Sequence, residues 1–200
     1  MRSAIIGFGN VGAALVQAFA RKGIEVTVAG RRPPEALAPA AAKIGPSIVP
    51  ARIEDAVAAD VVLLAVPFAA YRDVARAAAR WDGRVVVDAM NAFGVSLEDL
   101  GGLPSTAAVA RALPGAAVVK AFNHLPAATL AQDPARPGGG RRVVFVSGDD
   151  AAARATVASL ADQLGFAPVD LGALDVGGLL VQVRGSAPGR LVLQDLAKFD

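Results

Sequence analysis

Residues 3–12 read Ser-Ala-Ile-Ile-Gly-Phe-Gly-Asn-Val-Gly. Ser3–Ile6 is a short apolar run of strand type. Gly7, Gly9 and Gly12 follow at the G-x-G-x-x-G spacing, and Val11, Leu15, Val16 and Phe19 then recur at helical intervals. Strand, glycine turn and helix in that order form the opening unit of a dinucleotide-binding sheet. Gly7 permits the turn out of the strand. Gly9 removes a side chain so that backbone can approach a pyrophosphate, and the turn is expected to need a positive φ there. Gly12 lets the helix pack closely on the sheet, with its positive N-terminus towards the phosphates. Phe8, Asn10 and Val11 belong to the same expected cradle. The alternative is a glycine-rich turn that holds no cofactor.

The next strand tells which dinucleotide. Lys22-Gly23 closes the first helix, and residues 24–29, Ile-Glu-Val-Thr-Val-Ala, alternate as a strand. In chains that bind NAD, an acid at the end of this strand holds the ribose 2′-hydroxyl. Here that place is Gly30, followed by Arg31 and Arg32. A carboxylate would repel a 2′-phosphate, whereas a guanidinium pairs with one through two hydrogen bonds. NADP is therefore the expected cofactor. The competing reading makes Arg31 and Arg32 solvated loop charges ahead of Pro33-Pro34.

Outward from this unit, strands and helices alternate, which is the pattern of an α/β, doubly wound parallel sheet of the Rossmann type. Helices are expected at 34–43, 53–58, 68–81, 106–113 and 149–164. Strands are expected at 47–49, 61–66, 84–89, 117–122, 142–146 and 167–171. Residues 92–105 and 134–140 read as loops. One NADP-binding domain spans 1–200, with 171–200 as a short C-terminal extension near the site or a dimer interface. In such a sheet the ligand lies across the carboxyl ends of the strands. Val66, Pro67 and Phe68 follow the fourth strand, Asn91 the fifth, and Lys120 to His124 the sixth, so these residues should surround the nicotinamide. Pro67 also reads as a strand breaker, and Phe68 as core.

His124 is the sole histidine, so any imidazole chemistry belongs to it. It could protonate a carbonyl or position an acceptor, or simply bond locally in its loop. Asn123 could orient the carboxamide or the acceptor ring, or serve as a turn residue before Leu125-Pro126. Lys120 is either a cofactor contact or a solvated edge charge. No metal site is expected: there is one His, no Cys and no convincing cluster of carboxylates. Ser96, Ser105 and Ser147 lack a base at a recognisable spacing, so hydrolysis is unsupported.

Composition narrows the rest. In 200 residues the hydrophobic content is 54%, enough for a large core, and much of it is Ala and Val. No apolar run reaches about 18 residues, so a membrane span is not expected. With a strand starting at residue 3, no signal peptide is expected either, and zero Cys fits a cytoplasmic protein. A net charge of +2, with basic residues dispersed, argues against nucleic acid. Residues 179–183 and 191–193 could supply an apolar surface for a homodimer.

The glycine loop, Gly30-Arg31-Arg32, residues 62–67, Asp88-Ala89-Met90-Asn91 and Val119-Lys120-Ala121-Phe122-Asn123 together resemble the coenzyme F420-dependent NADP oxidoreductase family. The resemblance runs from about residue 2 to the C-terminus. Its most specific parts are Lys120-Ala121-Phe122-Asn123 and the closing Gly177-Gly178 and Gln194-Asp195-Leu196. The pattern is also similar to the cytosolic domain of six-transmembrane ferric reductases. The resemblance implies a compact, often dimeric protein that passes a hydride between NADPH and a flavin or deazaflavin stacked on the nicotinamide. Two segments depart from the family: Gly7-Phe8-Gly9-Asn10 is a shorter first loop without threonine, and Asn123-His124-Leu125-Pro126 stands where the family has a His-Thr-Ile-Pro pattern. The acceptor therefore stays open between a flavin or deazaflavin and a small carbonyl or imine with His124 as proton donor. A non-enzymatic NADP-binding sensor is the third reading.

Overall fold

A computed structural model describes residues 1–183 and 195–196. Eight strands form one twisted sheet: β1 (Ser3–Ile6), β2 (Val26–Ala29), β3 (Ile48–Pro50), β4 (Val61–Leu64), β5 (Val85–Asp88), β6 (Ala117–Ala121), β7 (Arg141–Gly148) and β8 (Ala167–Asp170). Their order is β3-β2-β1-β4-β5-β6-β7-β8, and β9 (Asp195–Leu196) pairs with β7. From β3 to β6 every pairing is parallel. The order reverses between β1 and β4, which is the switch point where an open α/β sheet binds its ligand. The fold is thus the expected doubly wound α/β sheet, with one addition: β7 runs antiparallel to β6 and carries β8 with it.

Strand alternation builds two cores. Ile5 and Leu63 face α1 (Asn10–Arg21) and α7 (Ala151–Gln163), packing with Leu15, Phe19, Val157 and Leu160. Ala4, Ile6, Val62 and Leu64 face the opposite layer. That layer contains α3 (Ile53–Ala56), α4 (Tyr71–Ala75) and α5 (Ser105–Ala112), together with Trp81. Parallel strands covered on both faces read as continuous apolar runs, as Val61–Leu64 does. α2 (Pro34–Ile44) packs on β3.

The helix expected over 68–81 is cut short. A 3₁₀ turn at Phe68–Ala70 leads into α4, which ends at Ala75. The fully buried Trp81 turns inward, and its indole N–H donates to the Ala75 carbonyl at 3.2 Å, taking the place of the next helical bond. A short α6 (Ala127–Leu130), unforeseen in the sequence, packs against α1.

After β8 the chain makes a π-helical turn at Leu174–Gly178, then α8 (Leu179–Val181). The apolar surface expected at 179–183 is instead largely internal. Val181 and Val183 are buried, and Val181 joins a third cluster with Val143, Phe145 and Ala167. Residues 191–193 lie outside the described residues.

Candidate functional site

The glycine turn behaves as its spacing implies, with one reassignment. The residue with positive φ is Gly7, at +110°, and a Cβ there would sit 2.2 Å from the Ala65 carbonyl oxygen. Gly12 supplies close packing: a Cβ would lie 1.9 Å from the Gly7 oxygen. Gly9 has φ −88°, ordinary for any residue, so the expectation of a positive φ there is wrong. The space a Cβ would enter at Gly9 holds no protein atom within 4 Å, so its small size matters through clearance rather than strain. No side chain caps α1 at Gly9, which leaves the first backbone N–H groups of the helix for an anion.

Above the switch point lies a cavity of about 440 Å³. The first loop lends Gly7, Phe8 and Gly9, and the end of β2 lends Gly30, Arg31 and Arg32. Val66 and Pro67 close it from the β4 side, with Ala65, Ala70, Asp73 and Val74 beside them and Leu37 and Ile53 from α2 and α3. An adjoining cavity of about 260 Å³ is lined by Gly30, Arg31, Arg32, Pro33, Pro34, Arg52, Ile53 and Glu54. Arg31 and Arg32 are exposed and form no ion pair among the described residues. Arg52 was not anticipated. The signal was available, because β3 neighbours β2 in a parallel sheet, so the loop leaving β3 also opens at the carboxyl edge.

Beyond Pro67 the structure sorts the remaining candidates. Asn91 and Asn123 are brought together. Asn91 Nδ2 donates to the Asn123 carbonyl at 2.9 Å, and Asn123 Nδ2 donates to Asn91 Oδ1 at 3.1 Å and to the Val181 carbonyl at 2.9 Å. Phe122 immediately precedes Asn123. It adopts φ +61° at the end of β6, a conformation rare for an aromatic residue, and anchors its ring edge-on to Phe166 at 5.9 Å.

Lys120 is neither in the cavity nor a solvated edge charge. It is 1% exposed, donates to Asp88 Oδ2 at 3.2 Å and to the Met90 carbonyl at 2.6 Å, and so braces the turn that presents Asn91. Asp88 also accepts from Thr106 Oγ1 and from the Met90 backbone N–H. Phe68 does not line the cavity and tilts against Tyr71 at 5.1 Å. His124 is half-buried, its ring 4.7 Å from that of Phe145 on β7. Among the described residues no cluster of three or more His, Cys, Asp or Glu could hold a metal, and no helix is long and apolar enough to cross a membrane.

The model of the family described as NADP oxidoreductase, coenzyme F420-dependent, matches residues 2–92, which take in β1 to β5 and Asn91. A protein of Arthrobacter sp. FB24, provisionally described as an F420-dependent NADP-reductase, is 34% identical, with 87% of this chain and 86% of that one covered and a TM-score of 0.70. The chain belongs to the coenzyme F420-dependent NADP oxidoreductase family. Its cofactor is NADP(H), and the site fits one: clearance at Gly9, uncapped N–H groups on α1 and cationic side chains where β2 ends. The hypothetical protein SMa0349 of Sinorhizobium meliloti is 42% identical over all of this chain and 96% of its own, with a TM-score of 0.88. The metalloreductase STEAP3 of Rattus norvegicus is 32% identical over 173 residues, 85% of this chain; this chain spans 33% of that relative's length.

Proposed function

We propose that this oxidoreductase moves a hydride between NADP(H) and a flavin or deazaflavin ring of the coenzyme F420 type. The carrying observation is the character of the segments that leave β5 and β6, which lie outside the lining of the larger cavity. Asn91 and Asn123 are neutral amides bonded to each other, while the nearby ammonium of Lys120 is buried and committed to Asp88 and Met90. Transfer between two stacked rings demands position, whereas reduction of a carbonyl or imine also demands a proton.

Bound NADP(H) supplies or receives the hydride. The chain's own residues do the rest. Gly7 to Gly12 hold the pyrophosphate, and Arg31 and Arg32 hold the ribose phosphate. Val66 and Pro67 form a dry wall beside the nicotinamide. Asn91 and Asn123 orient the planar groups, and His124 shapes the acceptor side without exchanging a proton.

The test is NADPH oxidation, followed by its absorbance band, with coenzyme F420, FMN, FAD and a panel of small ketones and imines. Turnover of a ring acceptor well above that of every carbonyl and imine supports the reading. Turnover of a ketone or imine alone sinks it.

A further inference from the structure

We propose that Arg52 and Glu54, on the loop and short helix after β3, set how strongly the site prefers NADP(H) over NAD(H): Arg52 joins Arg31 and Arg32 on the 2′-phosphate, and Glu54 tempers that attraction. The adjoining cavity of about 260 Å³ is lined both by the Gly30-Arg31-Arg32 turn and by Arg52, Ile53 and Glu54. The two segments are some twenty residues apart in sequence, joined because β2 and β3 run parallel, with Thr27 opposite Val49 and Val28 opposite Pro50. A dianionic phosphate there meets guanidinium groups from both segments. That geometry suits forked hydrogen bonding better than a single arginine does.

Glu54 gives the arrangement a second property. Its Oε2 lies 3.5 Å from Arg52 Nε, with both side chains largely exposed. A surface pair of this kind contributes little to stability. It places a carboxylate in a subsite otherwise lined by arginines. A carboxylate accepts a hydrogen bond from a ribose 2′-hydroxyl and repels a 2′-phosphate. Glu54 therefore favours NAD(H), and Arg52 favours NADP(H).

Dissociation constants of NADPH, NADH, adenosine 2′,5′-bisphosphate and 5′-AMP, measured by titration calorimetry, test both halves. Arg52→Ala should weaken NADPH and the bisphosphate about tenfold, the value of one charge-assisted contact, and leave NADH and 5′-AMP within about twofold. Retained NADH binding also reports that the variant is folded. Arg52→Lys, which keeps the charge and loses the fork, should fall between the two. Glu54→Gln should raise the preference for NADPH over NADH by roughly threefold, since a like charge is removed from beside the phosphate. Unchanged NADPH binding in Arg52→Ala, or an equal loss for all four ligands, overturns the assignment of Arg52. A preference that falls or stays level in Glu54→Gln overturns that of Glu54.

Discussion

The three glycines of the first loop differ in what a methyl group would strike, and this separates binding from folding at single positions. At Gly12 the obstacle is the protein's own Gly7 carbonyl, 1.9 Å from a Cβ. Gly12→Ala is expected to lower the melting temperature and to weaken NADPH binding with it. At Gly9 the protein offers no obstacle within 4 Å. Gly9→Val should keep a native circular dichroism spectrum and melting temperature while losing measurable NADPH affinity; normal binding by this variant would remove the glycine loop from the site. The Arg31→Ala, Arg32→Ala double variant should weaken NADPH at least about tenfold and leave NADH nearly unchanged. His124→Ala should cost less than the roughly 10²-fold that a general acid contributes; a larger loss, with a pH–rate limb that vanishes in the variant, would mark His124 as a proton donor. The glycine spacing and the missing acid after β2 were legible because each rests on local chemistry. The burial of Lys120 was not, since a lysine at a strand end looks the same whether it meets water or Asp88.

At the scale of elements, β1 to β6 could be read from apolar runs separated by helical periods. The reversal at β7 could not, because a buried strand carries the same residues whichever way it runs. The short helix α6 had a signal in Pro126, which precedes its first turn, and the end of α4 depended on where Trp81 finds a hydrogen bond, a tertiary matter. The pair that braces β5 against β6 leads to a stability prediction. Asp88 and Lys120 face each other almost fully buried, and Asp88 has further donors in Thr106 and Met90. Lys120→Met strands a buried carboxylate and should cost about 3–5 kcal/mol. Adding Asp88→Asn removes that charge and should recover more than half of the loss. Urea unfolding of the wild type, both single variants and the double variant closes the cycle; additive losses would show that the two groups do not act on each other.

At the scale of the whole molecule, acids and bases nearly balance, with a net charge of +2. If Arg31, Arg32 and Arg52 hold the ribose phosphate as proposed, attraction of NADPH is local to them rather than a property of the general field. Exposed charges are screened within about 8 Å at physiological salt. Raising ionic strength from about 0.05 M to about 0.5 M should thus weaken NADPH several-fold and NADH less than about twofold, both read by calorimetry. Similar salt slopes for the two would place the arginines away from the phosphate. Ligand linkage provides an independent check: NADPH at about 100 times its dissociation constant should stabilise the fold by about 2.7 kcal/mol, and the same concentration of NADH by less.

The bond from Asn123 to the Val181 carbonyl joins residues 58 apart in the chain, and it carries a consequence in time. Every residue lining the larger cavity has left the ribosome once Val74 has emerged. A ribosome adding roughly 5–20 residues per second needs a further 5–20 s or so to deliver Val181. Synthesis thus supplies the residues that line the cavity first and the clasp on the Asn91–Asn123 pair last, so a nascent chain holds every lining residue of the cavity well before Val181 arrives to fasten that pair.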